Sequence, residues 1–178
     1  MPSPIGHSLI GLSLVLGWLP ASKIREQVVP VCGVLFLAVM ADVDLIAGAL
    51  MGDLNGLHRQ ATHSLPVAVG ASVLTWCVVS TVMRRADLRY LGLFLLAACS
   101  HLLADWLGDD GAAPYGIMLF WPFSEGYYIS PVAVFPQLSK SSLADMLGRH
   151  NLRPMAQETG LIMLLVMAAW LFRRRRLA

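Results

Sequence analysis

Four of the five histidines and three of the eleven acidic residues of this chain fall in four short stretches. In "HLLAD", His101 and Asp105 stand four apart, so a helix would put both side chains on one face. An imidazole and a carboxylate converging in this way suit a borderline divalent ion such as Zn²⁺ or Mn²⁺. The plainer alternative is a histidine bonded to an aspartate one turn away, tying two helices together. In "ADVDL", Asp42 and Asp44 are two apart, about 200° around a regular helix. Both reach one site only if the helix breaks there, or if one supports the site from behind. "HRQATHS" supplies His58, Arg59, Thr62 and His63. His58 and His63 are too far around for one helical face, but a loop turning into a helix could bring either or both to one ion or two neighbouring ones. Thr62 is the expected N-cap of the following helix, with Pro66 in its first turn. The free N–H groups of that helix end and the planar fork of Arg59 would then suit an anion such as phosphate. His7 stands one turn into an otherwise apolar segment. Alone it reads as an interfacial residue; beside the others it reads as a further ligand.

What must position these residues is a set of greasy helices. The 178 residues are 57% hydrophobic and 13% charged, about half the charge of a soluble domain. Runs near the ~20 residues that cross a bilayer cover roughly Ile5 to Leu19, Val28 to Met51, Thr62 to Met83, Tyr90 to Leu107 and Met155 to Phe172. The first and last are short. The expectation is an all-α, polytopic membrane bundle of four to five transmembrane helices, one domain over residues 1–178. The N-terminus has no basic stretch before its apolar run, so no cleaved signal peptide is expected. Cys32, Cys77 and Cys99 lie inside apolar runs without CxxC spacing, which suggests buried, inert thiols. A net charge of +2 gives no reason to expect a nucleic-acid partner.

Five spans place Lys23, Arg25, Arg84, Arg85, Arg89 and Arg173 to Arg176 on one side, nine of the thirteen basic residues. The positive-inside rule makes that side cytoplasmic, including the basic tail at 173–178. His7, Asp42, Asp44, His58, His63, His101, Asp105 and His150 then all fall toward the extracytoplasmic side. An ionised aspartate at a helix centre costs roughly 2.5–3.5 kcal/mol, so Asp42, Asp44 and Asp105 fully immersed would cost about 8–10 kcal/mol together. Pairing with a cation offsets that cost; a helix leaving the membrane at Asp42 is the alternative. The segment from about 108 to 154 is rich in Trp, Tyr, Phe and Pro and reads as non-helical chain in the interface over the pocket, a lid or a plain aromatic belt. Asp109 and Asp110 in "GDDG" read as a solvated turn.

The order "GHSLIG", "ADVDL", "HRQATHS", "HLLAD" and "FWPFS", running from the N-terminus to Ser124, resembles the YdjM-like family of membrane-bound, metal-dependent hydrolases. That family commonly has Gly where this chain has Gln60. It is distantly similar to zinc phospholipase C and P1 nuclease, whose helices supply His, Asp and "HxxxD" ligands to phosphoester-cleaving zinc sites. The resemblance implies His7, Asp42 or Asp44, His58 or His63, His101 and Asp105 as metal ligands. The later "HxxxE" pair of the soluble enzymes has no counterpart after His150, so one or two ions are implied rather than three.

The expectation is therefore an inner-membrane hydrolase using Zn²⁺, or alternatively Mn²⁺, on a phosphoester in a lipid or lipid-linked substrate. Asp42 or Asp44 would act as general base, and Arg59 would stabilise the developing negative charge. A non-catalytic metal-binding or ion-translocating membrane protein is the alternative.

Overall fold

The computed structural model describes residues 2–19, 27–52, 54, 58–111, 113–140 and 142–177. Lys23 and Arg25, used above to orient the chain, lie outside the described residues. Seven α-helices account for most of the rest: α1 (Pro4–Trp18), α2 (Val28–Val39), α3 (Val43–Met51), α4 (Leu65–Met83), α5 (Leu88–Trp106), α6 (Leu143–Met146) and α7 (Leu152–Leu177). No strand forms among the described residues; the aromatic segment has only isolated bridges, Gly108 with Phe135 and Ile117 with Tyr128. The all-α architecture expected from the apolar runs is therefore present.

Four helical stretches are long and apolar enough to cross a membrane: Val28–Met51, Leu65–Met83, Leu88–Trp106 and Arg149–Arg175. α1 is a shorter apolar helix. The last span is not short, as its apolar run suggested: α7 continues through 26 residues, carrying polar residues at both ends of the run. Leu74 on α4 and Leu164 on α7 are exposed, as side chains facing lipid must be when hydrocarbon is the solvent.

α1 packs on α2, α5 and α7, and α4 and α5 form an antiparallel pair against α2. α1 and α7 run in the same direction, since Ser3 meets Glu158 while Gly17 lies against Ala169. The core among these helices is Val34, Leu37, Leu93, Phe94 and Ala97. His7, Asp42, His63 and Asp105 all lie at one end of the bundle, and Arg84, Arg85 and Arg173 at the other.

Lipid tails give helices no hydrophobic reason to associate, so close backbone approach must do so. Gly11 faces α2, where a Cβ would come within 2.8 Å of the Ala38 Cβ. Gly33 faces α5, where a Cβ would stand 2.9 Å from the Phe94 ring. Gly70 and Gly92 have open space instead. Gly11→Ala and Gly33→Ala should each destabilise the bundle by about 1–3 kcal/mol through overpacking. Gly70→Ala and Gly92→Ala should be neutral or stabilising. Thermal unfolding in detergent, followed by circular dichroism, separates the two pairs.

Candidate metal centre

The second span breaks where its two aspartates require it. A 3-10 turn at Met40–Asp42 joins α2 to α3, and both Asp42 and Asp44 are buried at the same end of the bundle. Asp44 lies in the first turn of α3 and gathers the "HRQATHS" loop around its carboxylate. Its Oδ1 is 2.8 Å from His58 Nδ1. Its Oδ2 accepts from the Arg59 backbone N–H at 3.2 Å and from the Thr62 hydroxyl at 2.6 Å, and His63 Nδ1 lies 3.2 Å away. The Arg59 backbone is left-handed, φ 72°, an unusual conformation for a residue other than glycine, and it aims that N–H at Asp44. On the other side of His58, the Lys140 ammonium donates to Nε2 at 3.1 Å. That contact assigns the His58 proton to Nδ1, facing Asp44. Burial pushes the His58 imidazole down to about 4, against the pull of the Asp44 hydrogen bond and with help from the Lys140 charge. His58 is thus a neutral link between Lys140 and Asp44, with both ring nitrogens engaged.

His63 and His101 meet differently. His101 Nδ1 lies 2.8 Å from the Ala38 carbonyl, which can only accept, so Nδ1 bears a proton and Nε2 is turned to the centre. Thr62 gives its own proton to Asp44, so its oxygen is free to accept from His63 Nδ1 at 3.1 Å. His63 Nε2 and His101 Nε2 face each other only 3.3 Å apart. Against the effect of burial, hydrogen bonds to Asp105 and Asp44 raise the His63 imidazole to about 9. Two ring nitrogens at this distance require a proton or a cation between them. Asp105 Oδ2 stands 3.1 Å from one Nε2 and 3.3 Å from the other, and Asp42 Oδ1 is 3.8 Å from each. Tetrahedral bonds of ~2.0–2.1 Å set ligand atoms about 3.3–3.4 Å apart, close to these separations. Asp42 Oδ2 and Asp105 Oδ2 are buried without a hydrogen-bond partner.

Two groups of buried residues could therefore hold a metal ion: Asp42, His63, His101 and Asp105, and Asp44, His58 and His63. The first has the better donors, because its Nε2 atoms face each other and Asp42 Oδ2 and Asp105 Oδ2 lack hydrogen-bond partners. The second is already closed by hydrogen bonds and orients the first from behind through His63, the arrangement by which carboxylates fix metal-ligating histidines.

His7 belongs to neither group but touches the first. Its ring stacks on His101 with centroids 3.8 Å apart, and Nε2 lies 3.3 Å from Asp105 Oδ1. His150 is elsewhere, paired with Asp145 at 3.0 Å.

Three expectations about the loop are corrected. The helix cap is Ser64, not Thr62: the Ser64 side chain accepts from Val67 N–H, while the Thr62 hydroxyl is committed to Asp44. The end of α4 also offers no free donors to an anion, because Leu65 N–H is taken by the Leu119 carbonyl, Pro66 has none, and Val67 N–H goes to the cap. Arg59 directs Nη1 at the Asp110 carboxylate, which also accepts from Gly116 N–H at 2.8 Å. Asp110 is thus part of a buried latch rather than a solvated turn.

Sequence reasoning missed Lys140 as a partner of His58, and it missed Glu158. The Glu158 carboxylate takes the Ser3 backbone N–H at 2.9 Å and the Ser3 hydroxyl at 2.8 Å. This pins the start of α1 to α7 one turn before His7, and the side chain fits only because residue 6 is glycine. A lone carboxylate inside an apolar run was the available signal.

Purified protein should hold one divalent ion per chain in the first group. His101→Ala should abolish stoichiometric binding. Asp44→Asn, acting through His63, should weaken it about 10–100-fold, and His150→Ala should leave it unchanged. Elemental analysis after desalting and a competition titration measure all three.

No curated protein and no solved structure matches the chain. A family described as YdjM inner membrane protein matches residues 1–177. With almost its whole length matched and its long apolar helices in place, the chain belongs to the YdjM inner membrane protein family.

Proposed function

We propose that this protein is a metal-dependent hydrolase of a phosphoester carried by a lipid or lipid-linked substrate. The observation that carries the reading is the pair of facing Nε2 atoms 3.3 Å apart, flanked by Asp42 and Asp105, each with a carboxylate oxygen that has no hydrogen-bond partner, at one end of the bundle. Two imidazoles and two carboxylates suit Zn²⁺, with Mn²⁺ the next choice; Asp42, His63, His101 and Asp105 would hold the ion. When bound, such an ion polarises a phosphoryl oxygen and lowers the pKa of water toward ~7.

The chain's own residues would do the rest. Asp42 reaches the centre with Oδ1, while its Oδ2 has no partner and can take the proton of the attacking water. Asp44, engaged by His58, Arg59, Thr62 and His63, is the positioning residue rather than the base. Arg59 holds the loop through Asp110, and His7 orients Asp105 from the side away from His101. Attack at phosphorus forms one P–O bond and breaks the bond to the leaving alcohol. An ion-translocating role would call for a polar path onward through the bundle, and the core beyond the site is Leu37, Leu93, Phe94 and Ala97. The arginine-rich end supports an orientation with the site facing the extracytoplasmic side and the C-terminus in the cytoplasm.

Detergent-solubilised protein should cleave bis-p-nitrophenyl phosphate or a phospholipid headgroup in a chelator-sensitive manner. Asp42→Asn should lower kcat about 10²–10⁴-fold, with Arg85→Ala unchanged. Metal-loaded protein that turns over none of a panel of lipid phosphoesters would sink the reading.

The orientation has its own check. In a variant without the native cysteines, Ser130→Cys should react with an impermeant maleimide in spheroplasts and Arg85→Cys should not. The opposite pattern reverses the assignment.

A further inference from the structure

The centre is buried, yet one of its residues also lines an open cavity. A groove of about 520 Å³ runs along the second span, walled by Phe36 of α2, Asp42 of the 3-10 turn, Ile46 and Ala49 of α3, Pro4 of α1 and Met146 of α6. That volume is within the ~300–1,000 Å³ of small-molecule sites. Phe36 and Ile46 are more than half exposed, so the groove opens on the bundle's side wall, where helices meet lipid. Its lining is apolar except at Asp42, whose Oδ2 is buried without a partner.

We infer that this groove holds one hydrocarbon chain of the substrate lipid, with its phosphate at Asp42, midway along the wall, and that substrate reaches the centre sideways from the bilayer. The inference rests on the phosphoester reading above and names where that substrate sits. The chemistry of the walls selects the occupant. Ionic or hydrogen-bonding groups would find nothing to satisfy them along Phe36, Ile46 and Ala49, whereas a chain already dissolved in hydrocarbon loses no favourable surroundings by moving into the groove. At Asp42, an occupant must tolerate a carboxylate, which a phosphate does only through a cation shared with His63 and His101. A lipid phosphoester meets both demands. From Asp42 to Ala49 the wall extends about 10 Å at ~1.5 Å per residue, so several methylenes, not merely the first, lie against protein. The helix break therefore has a second consequence: it exposes Asp42 to the centre and to the groove at once.

Ala49 is exposed, so Ala49→Trp and Ile46→Trp should fold while filling the channel; Val78→Trp on the lipid face of α4 is the control. In proteoliposomes of phosphatidylglycerol bearing a diazirine in one acyl chain, photoadducts should concentrate on Phe36, Ile46 and Met146. They should fall several-fold in Ala49→Trp and not in Val78→Trp. Ala49→Trp should also raise KM for a long-chain lipid phosphoester about tenfold, leaving metal content and turnover of bis-p-nitrophenyl phosphate unchanged. Adducts spread evenly over α4 and α7, as bulk lipid would give, overturn the inference, as does long-chain turnover that Ala49→Trp does not alter. Concentrated adducts in protein that hydrolyses no phosphoester keep the chain site and remove the hydrolase reading.

Discussion

A carboxylate at the depth of a membrane helix must be surrounded by donors, and Asp44 is the residue for which the rest of the site is built. Its two oxygens engage His58, the Arg59 amide, the Thr62 hydroxyl and His63. Each contact fixes a different feature. The amide requires Arg59 to adopt a positive φ, the hydroxyl removes Thr62 from the helix cap, and His63 is left with its Nε2 turned inward. Losing Asp44 would therefore cost more than one hydrogen bond, because the loop it organises carries the ligand opposite His101.

The loop, in turn, has only a 3-10 turn at Ala61–His63 among its described residues, and His58, Arg59 and His63 on it are buried. The aromatic segment after α5 supplies backbone partners: Met118 N–H donates to the Arg59 carbonyl, and the Leu119 carbonyl accepts from Leu65 N–H. Ile117 beneath it is fully buried. Polar backbone at membrane depth is tolerated where protein rather than lipid covers it. Asp110 adds the latch to Arg59, and Lys140 closes on His58 from further along the same segment. What reads in the sequence as a stretch of Trp, Tyr and Pro is thus the cover that lets the loop exist.

Much of this was legible beforehand, for identifiable reasons. Apolar runs near bilayer length gave four of the spans, because in hydrocarbon the backbone has few alternatives to a helix. The i, i+4 spacing of His101 and Asp105 placed both on one face, and both line the centre. The two-residue spacing of Asp42 and Asp44 called for a break or for one aspartate supporting the site from behind; a 3-10 turn lies there, and Asp44 holds the loop behind His63. What was not legible depended on tertiary partners. No local pattern distinguishes Ser64 from Thr62 as a cap when the deciding contact is a hydroxyl bond to Asp44, some eighteen residues earlier in the chain. Nor does spacing separate His58 from His63: one is closed off by Lys140, a residue 82 positions away. The first-turn amides of α4 could not be known to be taken until the aromatic segment was folded over them. Glu158 escaped notice because it stands between Gln157 and Thr159, like a polar helix start, and its partner, Ser3, lies at the opposite end of the chain.

Charge gives the last step in connecting the fold to the proposed ion. Asp42, Asp44 and Asp105 bring three negative charges into one buried cluster, while Arg59 is balanced locally by Asp110. Burial keeps His58 neutral, whereas, against the effect of burial, hydrogen bonds to Asp105 and Asp44 raise the His63 imidazole to about 9. Lys140 supplies one positive charge at the edge. Apart from the imidazoles the cluster is left net negative, which a divalent ion would offset. Without it, the same cluster would have to protonate its imidazoles, and the first proton would fall between the two Nε2 atoms that face each other. Proton and metal thus compete for one position, and metal binding must release protons. Burying an incomplete charge set costs several kcal/mol per unpaired ion, a cost that a cation held by Asp42, His63, His101 and Asp105 would offset whether or not it also did chemistry.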